Sequence, residues 1–169
     1  IEELNKGKDR TGELTNEDLK NTKVEYSSDP SIIANANVII VAVPTPIGSD
    51  KRPDLKALKS ASEIVGENMN EKSIIVFEST VYPGITEDIC GTIISKKSGG
   101  KNFSLGYSPE RVNPGDKEHT VTKILKVTSG STPEIAKQVD DLYKQVISAG
   151  TYLASSIKVA EASKVIENT

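Results

Sequence analysis

Short apolar runs alternate with segments of helical periodicity along most of this chain. The run NVIIVAVP at 37–44 is apolar without interruption, which is typical of a strand covered on both faces of a parallel sheet. Strands that alternate with helices of ~10–15 residues indicate βαβ units. We therefore expect an α/β fold with a doubly wound, mostly parallel sheet, with strands at 23–28, 37–44, 73–79, 102–109, 123–130 and 151–155.

Capping residues and prolines mark the helix starts. Asp29-Pro30 and Thr132-Pro133 each place a capping side chain before a proline at the first helical position, where the missing N–H costs nothing. Asp54 is expected to cap a third helix, whose apolar residues recur every three or four positions. The predicted helices lie at 1–5, 16–20, 30–35, 55–69, 85–95 and 132–148, and from Ser156 onward.

Composition excludes several classes of function. With 21 Lys and Arg against 24 Asp and Glu, the formal net charge is -3, which argues against a nucleic-acid or anionic-membrane partner. One Cys and one His rule out a disulfide scaffold and a His/Cys zinc site, so we expect no metal. No apolar run reaches the ~20 residues that a membrane-spanning helix needs.

Ligands of open parallel sheets bind beyond the carboxyl ends of the strands, so the residues just after each strand are candidates for a site. Val43-Pro44-Thr45-Pro46 forms a rigid exit with a hydroxyl, which suits a flat ligand such as a nicotinamide ribose. An ordinary loop with turn prolines is the alternative. Ser79 and Thr80 precede a helix expected to begin at Gly84 or Ile85, whose free N–H groups would lie beside the two hydroxyls. Helix capping is the alternative there.

Two further groups of polar residues could carry chemistry. Glu110 and Arg111 follow the strand at 102–109, where a carboxylate can act as a general base and a guanidinium can pair with a carboxylate or phosphate. Lys164 and Asn168 are four residues apart on the last helix and share a face that could bind an oxyanion. Surface ion pairs are the alternative in both places, with Glu161 and Lys164 paired on a solvated helix face.

Two reactive residue types occur once each. Cys90 lies among isoleucines in the helix expected at 85–95, which indicates a core position rather than a nucleophile. His119 lies in a polar loop and is interpreted as a surface residue.

Four motifs, in order, resemble those of the UDP-glucose/GDP-mannose dehydrogenase family: VAVPTP, ESTVYPGITE, GYSPERVNPGD and IKVAEASKVIENT. The SPERVNPG form and the last motif are most similar to the branch that oxidises UDP-N-acetylhexosamines, such as UDP-N-acetylmannosamine or UDP-N-acetylgalactosamine. The resemblance implies a Rossmann-like fold, NAD as cofactor, and a cytoplasmic homodimer that oxidises the sugar C6 alcohol to a carboxylate for capsule or related polysaccharide synthesis. Two hydrides would pass to two NAD molecules, and a cysteine would hold the aldehyde as a thiohemiacetal, then as a thioester that is hydrolysed.

The resemblance also implies roles for individual residues. Thr80 would position the catalytic water, Glu110 would be the general base for thioester hydrolysis, and Lys164 with Asn168 would stabilise the oxyanion. Pro114 stands where the UDP-glucose enzymes have a second glutamate, which fits the acetylhexosamine branch. The implied cofactor contacts are Val43, Pro44, Thr45, Pro46, Ile47, Ser79, Thr80 and Val81, and the implied substrate contacts are Glu110, Arg111, Val112, Asn113, Lys164 and Asn168.

Other parts of the family pattern are not found in these 169 residues. None of the 12 Gly forms a G-x-G pattern. We expect the phosphate loop upstream of Ile1 and the nucleophilic cysteine downstream of Thr169. Residues 1–155 would then be a partial NAD-binding domain whose sheet lacks its first two strands and is incomplete at its N-terminal side. Residues 156–169 would begin a long connecting and dimerisation helix, and the segment alone would be inactive and poorly soluble.

Two other functions remain open from the sequence. The chain could be a non-catalytic, truncated module that binds a nucleotide or a partner without turnover. It could also be a βαβ dehydrogenase of the 6-phosphogluconate type, although the VPTP and SPER segments argue against this. Retention of Thr80, Glu110, Lys164 and Asn168 favours the nucleotide-sugar dehydrogenase.

Overall fold

A computed structural model describes residues 1–12, 14–48, 52–110 and 121–167. The chain divides into two units, Ile1–Ile32 and Ile33–Thr169. The first unit carries the short helices α1 (Glu2–Asn5) and α2 (Asn16–Asn21), both close to their predicted positions. Thr15 and Asp18 form a reciprocal capping box at the start of α2, in which each side chain accepts a hydrogen bond from the other's backbone N–H.

The prediction of a strand at 23–28 is wrong. Residues 22–27 adopt no regular secondary structure and are not among the strands of the sheet. An apolar alternation becomes a strand only where a neighbouring strand accepts and donates its backbone hydrogen bonds, and the pattern itself does not supply that neighbour. The helix predicted after Asp29 is present as a 3-10 helix, Pro30–Asn35, and the Asp29 carboxylate accepts a hydrogen bond from the backbone N–H of Ser31 at 2.9 Å.

The second unit is built on a five-stranded sheet in the described part of the chain. The strands lie side by side in sequence order: β1 (Val38–Val41), β2 (Ser73–Phe77), β3 (Phe103–Tyr107), β4 (Lys126–Gly130) and β5 (Thr151–Leu153). The β1–β2, β2–β3 and β4–β5 pairs are parallel, which confirms the mostly parallel sheet. The β3–β4 pair is antiparallel, with Gly106 opposite Gly130 and Tyr107 opposite Ser129. This reversal was not predicted.

The helices follow the strands as expected, with two differences. They are α3 (Lys56–Asn68), α4 (Thr92–Lys97), α5 (Pro133–Lys144) and α6 (Ile157–Glu167). Thr132 caps α5 as predicted, but the helix ends four residues before Ser148. A π-helical segment, Ile85–Gly91, forms the first part of the helix predicted at 85–95. In the described residues no helix has both the length and the apolar content to cross a membrane.

Apolar side chains are buried on both faces of the sheet. Along β2, Ile75 and Phe77 join the larger cluster, while Val76 points the other way and packs against Val139 of α5. This alternation follows from the two-residue period of a strand and confirms the doubly covered sheet. The two edge strands are the exception, since Ile40 of β1 and Tyr152 and Leu153 of β5 are exposed.

Cys90 is fully buried in the π-helical segment, as the sequence predicted. Burial raises the pKa of its thiol, and the nearby Glu161 carboxylate raises it further. The thiolate is the reactive form, so we expect iodoacetamide to alkylate Cys90 at least ~10-fold more slowly in native protein than in urea-unfolded protein. Peptide-level mass spectrometry would measure both rates. Equal rates would contradict the core position and restore Cys90 as a candidate nucleophile.

Candidate active site

The loops that follow β1 and β2 are joined by two side-chain hydrogen bonds. The Thr45 hydroxyl donates to the carbonyl oxygen of Thr80 at 2.7 Å, and the Ser79 hydroxyl donates to the carbonyl oxygen of Val43 at 2.6 Å. The two parallel strands end at the same edge of the sheet, so their exit loops lie side by side. Each loop thus holds the other in place.

The joined loops form one wall of an open pocket of about 780 Å³. Seven of the eight predicted cofactor contacts line it, and Glu110 lies at the same pocket. Val81 is the eighth, and its side chain is buried in the core, so only its backbone could contact a ligand. The full set of lining residues is Ala42, Val43, Pro44, Thr45, Pro46, Ile47, Glu78, Ser79, Thr80 and Glu110.

The hydrogen bonds between the loops determine what the pocket hydroxyls can do for a ligand. The hydroxyl groups of Thr45 and Ser79 both donate their protons to backbone carbonyl oxygens. Their oxygens can therefore only accept hydrogen bonds from a ligand. Ribose hydroxyls and a carboxamide NH₂ are donors of the complementary kind. Thr80 is exposed, and its side chain is directly accessible from the pocket.

Glu110 belongs to a cluster of charged groups that we call the strand-end cluster, made of Glu78, Glu110, Lys126 and Tyr143. The Lys126 Nζ lies 3.0 Å from Glu78 Oε1 and 3.3 Å from Glu110 Oε2. The Tyr143 hydroxyl donates to Glu78 Oε1 at 2.6 Å. Burial, and then the charge of Glu78, raises the pKa of Tyr143, so its hydroxyl stays protonated and remains a donor.

The helix start near Ser79 and Thr80 differs from the prediction. The backbone N–H groups of Gly84 and Thr86 are not free, because both donate to the Glu161 carboxylate, at 2.6 and 2.9 Å. Glu161 is fully buried and does not lie on a solvated face. The anion-binding capacity of this helix start is therefore used within the protein, by a side chain of α6.

Lys164 lies one turn beyond Glu161 on α6. Its side chain is only 12% exposed, and its Nζ is 3.9 Å from Glu167, which replaces the Glu161–Lys164 pair that the surface interpretation expected. It is not among the described residues that line the pocket. The remaining predicted contacts, Arg111, Val112, Asn113 and Asn168, and also His119, lie outside the described residues.

Sequence reasoning missed Lys126, Tyr143 and the structural role of Glu161. Lys126 begins a strand and Tyr143 lies near the end of a helix, positions where such residues usually contact solvent. No local signal marks Lys126, since the residues that follow it in β4 are Val127, Thr128, Ser129 and Gly130, of which only Val127 is apolar. Lys126 faces the site because β4 runs antiparallel to β3, and Tyr143 reaches it from α5, which packs against the sheet.

Comparison with known proteins identifies the family. Residues 1–147 match the model described as UDP-glucose/GDP-mannose dehydrogenase family, NAD binding domain. Protein CapL of Staphylococcus aureus is 54% identical over 172 residues, which cover 100% of this chain and 41% of CapL. A UDP-N-acetyl-D-glucosamine 6-dehydrogenase of Pseudomonas aeruginosa is 53% identical over 173 residues, with the same two coverages.

Solved structures agree with this assignment. The crystal structure of NDP-N-acetyl-D-galactosaminuronic acid dehydrogenase from Methanosarcina mazei Go1 superimposes with a TM-score of 0.87 at 30% identity, over 99% of this chain and 38% of that one. The chain spans about two fifths of the length of these relatives. The Rossmann-like, NAD-binding fold and the matched sequence together lead to one conclusion: the chain belongs to the UDP-glucose/GDP-mannose dehydrogenase family.

Proposed function

We propose that this chain is the NAD-binding part of a UDP-N-acetylhexosamine 6-dehydrogenase, which oxidises the C6 alcohol of the sugar to a carboxylate. The observation that carries the proposal is a single pocket lined by Val43–Ile47, Ser79, Thr80 and Glu110. It combines a rigid, partly apolar wall with two carboxylates, Glu78 and Glu110, of which Glu110 is the more exposed. A cofactor ring on the wall and a water beside Glu110 are two of the components that this oxidation needs.

The pocket wall fits the nicotinamide end of NAD. Pro44 and Pro46 present flat apolar surface, and the hydroxyl oxygens of Thr45 and Ser79 accept hydrogen bonds from donors such as ribose hydroxyls. When bound, NAD supplies the hydride acceptor. The residues of this chain orient the ring, through a wall that the two loop-to-loop hydrogen bonds keep in place.

Glu110 would act in the hydrolytic half of the reaction. Its carboxylate would take a proton from water as the water oxygen attacks the acyl carbon and the cysteine sulfur leaves. Thr80 would hold that water, and Lys164 with Asn168 would stabilise the oxyanion of the addition intermediate. The side chain of Glu110 is 40% exposed, so solvent can reach it.

The substrate class follows the relatives in sequence. Two relatives named UDP-N-acetyl-D-glucosamine 6-dehydrogenase are 53% and 52% identical, whereas several named UDP-N-acetyl-D-mannosamine dehydrogenase are 27–33% identical. UDP-N-acetylglucosamine is therefore the first substrate to assay, followed by the mannosamine and galactosamine epimers. The proposal also includes a cytoplasmic homodimer that supplies an acidic sugar for capsule or related polysaccharide synthesis, by analogy with the family.

Turnover of the full-length protein tests the proposal. We expect NADH to form with NAD and a UDP-N-acetylhexosamine, at two NADH per sugar, and mass spectrometry to show a product with a carboxylate at C6. UDP-glucose is the matched control substrate and should react much more slowly. NAD binding without NADH formation on any of these sugars would contradict the dehydrogenase and support the non-catalytic nucleotide-binding module.

A further inference from the structure

Lys126 is a buried cation beside the candidate general base. Its side chain is 4% exposed, and it contacts the carboxylates of Glu78 and Glu110 at 3.0 and 3.3 Å. Removing a lysine from water is unfavourable unless its charge is compensated, and here two carboxylates compensate it. The contact with Glu110 links this lysine to the pocket.

The reversal of β4 places Lys126 there. Tyr107 is opposite Ser129 in the antiparallel pair of β3 and β4, and the same register continued by three residues sets Glu110 opposite Lys126. In a parallel pair the first residue of β4 would lie at the far end of the sheet from Glu110. The antiparallel pairing instead brings the first residue of one strand to the carboxyl end of the other.

The other side of Lys126 is fixed by Glu78 and Tyr143. The Tyr143 hydroxyl donates a hydrogen bond to the Glu78 carboxylate at 2.6 Å, and this carboxylate forms an ion pair with the Lys126 ammonium group. The ammonium group also lies 5.3 Å from the centre of the Tyr143 ring, within the range of a cation–π contact. Glu78 is 16% exposed and Glu110 is 40% exposed. Glu78, Lys126 and Tyr143 thus form the buried part of the strand-end cluster and anchor it. Glu110 is its exposed part and lines the pocket.

We propose that Lys126 is a positioning residue that holds the Glu110 carboxylate in the orientation needed to activate water. This rests on the proposed function, in which Glu110 is the general base. Without the ammonium group, the neighbouring carboxylates of Glu78 and Glu110 would repel each other, and the Glu110 side chain would turn away from Glu78. A displacement of about 1 Å at a reacting group can cost ~10²-fold in rate.

A double-mutant cycle in the full-length protein tests this. Lys126→Met should lower kcat by about 10–100-fold, with the KM for NAD and the pre-steady-state NADH burst retained. Lys126→Arg keeps a cation within reach and should restore most of the rate. The combined Lys126→Met/Glu110→Gln variant should be no slower than Glu110→Gln alone, because Lys126 acts through Glu110. Lys137→Met, at an exposed lysine of α5, is the matched control and should match the wild type.

Several outcomes would overturn the proposal. An unchanged kcat in Lys126→Met would mean that Lys126 does not position Glu110. The same conclusion would follow if Lys126→Met lowered kcat by the same factor in the Glu110→Gln variant as in the wild type. Should Lys126→Met fail to fold, Tyr143→Phe tests the same anchor by removing one hydroxyl, with an expected loss of about 3–10-fold at the same step. An unchanged Tyr143→Phe would then overturn it. No turnover in the wild type would overturn the proposed function itself, which is a separate result.

Discussion

Replacing Glu110 by Gln in the full-length protein is expected to lower kcat by about 10²–10⁴-fold, the usual contribution of a general base. The amide has nearly the same shape as the carboxylate but cannot accept a proton from water. The ion pair between Lys126 and Glu78 remains. The loss should therefore fall on hydrolysis, and the hydride-transfer steps should be spared.

Stopped-flow absorbance of NADH and intact-protein mass spectrometry separate these steps. We expect a rapid burst of NADH followed by very slow turnover, together with a covalent acyl adduct that accumulates on the enzyme. Glu63→Gln, at an exposed position of α3, makes the same chemical change away from the pocket and should leave both readouts unaltered. If Glu110→Gln abolished the burst, the residue would act in hydride transfer and not in hydrolysis.

Replacing Glu161 by Ala is expected to destabilise the domain by about 3 kcal/mol or more, since hydrogen bonds to charged groups contribute about 1.5–3 kcal/mol each. Two such bonds are lost, from the backbone N–H groups of Gly84 and Thr86. Both donors would remain buried without an acceptor, next to a newly created cavity. The effect should be among the largest of any single substitution in this chain.

Labelling of Cys90 in urea measures this effect inside the full-length protein, because Cys90 lies in the π-helical segment that Glu161 holds. With a urea dependence of about 1–3 kcal/mol per molar, the midpoint of exposure should fall by about 1 M or more in Glu161→Ala. Glu167→Ala changes an exposed carboxylate of the same helix and should shift the midpoint little. A shift in Glu161→Ala no larger than that of Glu167→Ala would mean that the two hydrogen bonds contribute nothing to stability.

The elements that the sequence predicted well are those defined by local signals. β1, β2 and β3 were predicted from their apolar runs, and the start of α5 from Thr132 and Pro133, whose capping geometry involves only neighbouring residues. The pocket wall was predicted too, because parallel strands bring their carboxyl ends together. Strand 23–28 failed because a strand depends on a neighbour that local sequence does not specify.

The residues that were missed depend on the tertiary fold. The direction of β4 leaves no trace in an apolar pattern, because a strand has the same two-residue period in either direction. From the sequence pattern, Lys126 is therefore an ordinary first residue of a strand. The sequence pattern predicted that Glu161 is a solvated residue of an amphipathic helix. Glu161 is instead a buried hydrogen-bond acceptor, because α6 packs against the start of the π-helical segment.

The paired hydroxyl contacts of Thr45 and Ser79 bear on the thermodynamics of ligand capture. The two loops are hydrogen-bonded to each other before a ligand binds, so binding restricts their conformations little. The conformational entropy cost of ordering them therefore subtracts little from the affinity that the contacts provide. A ligand that enters this side of the pocket meets a surface whose shape is already set. Its residence time should then be governed by the contacts it makes and not by the opening of either loop.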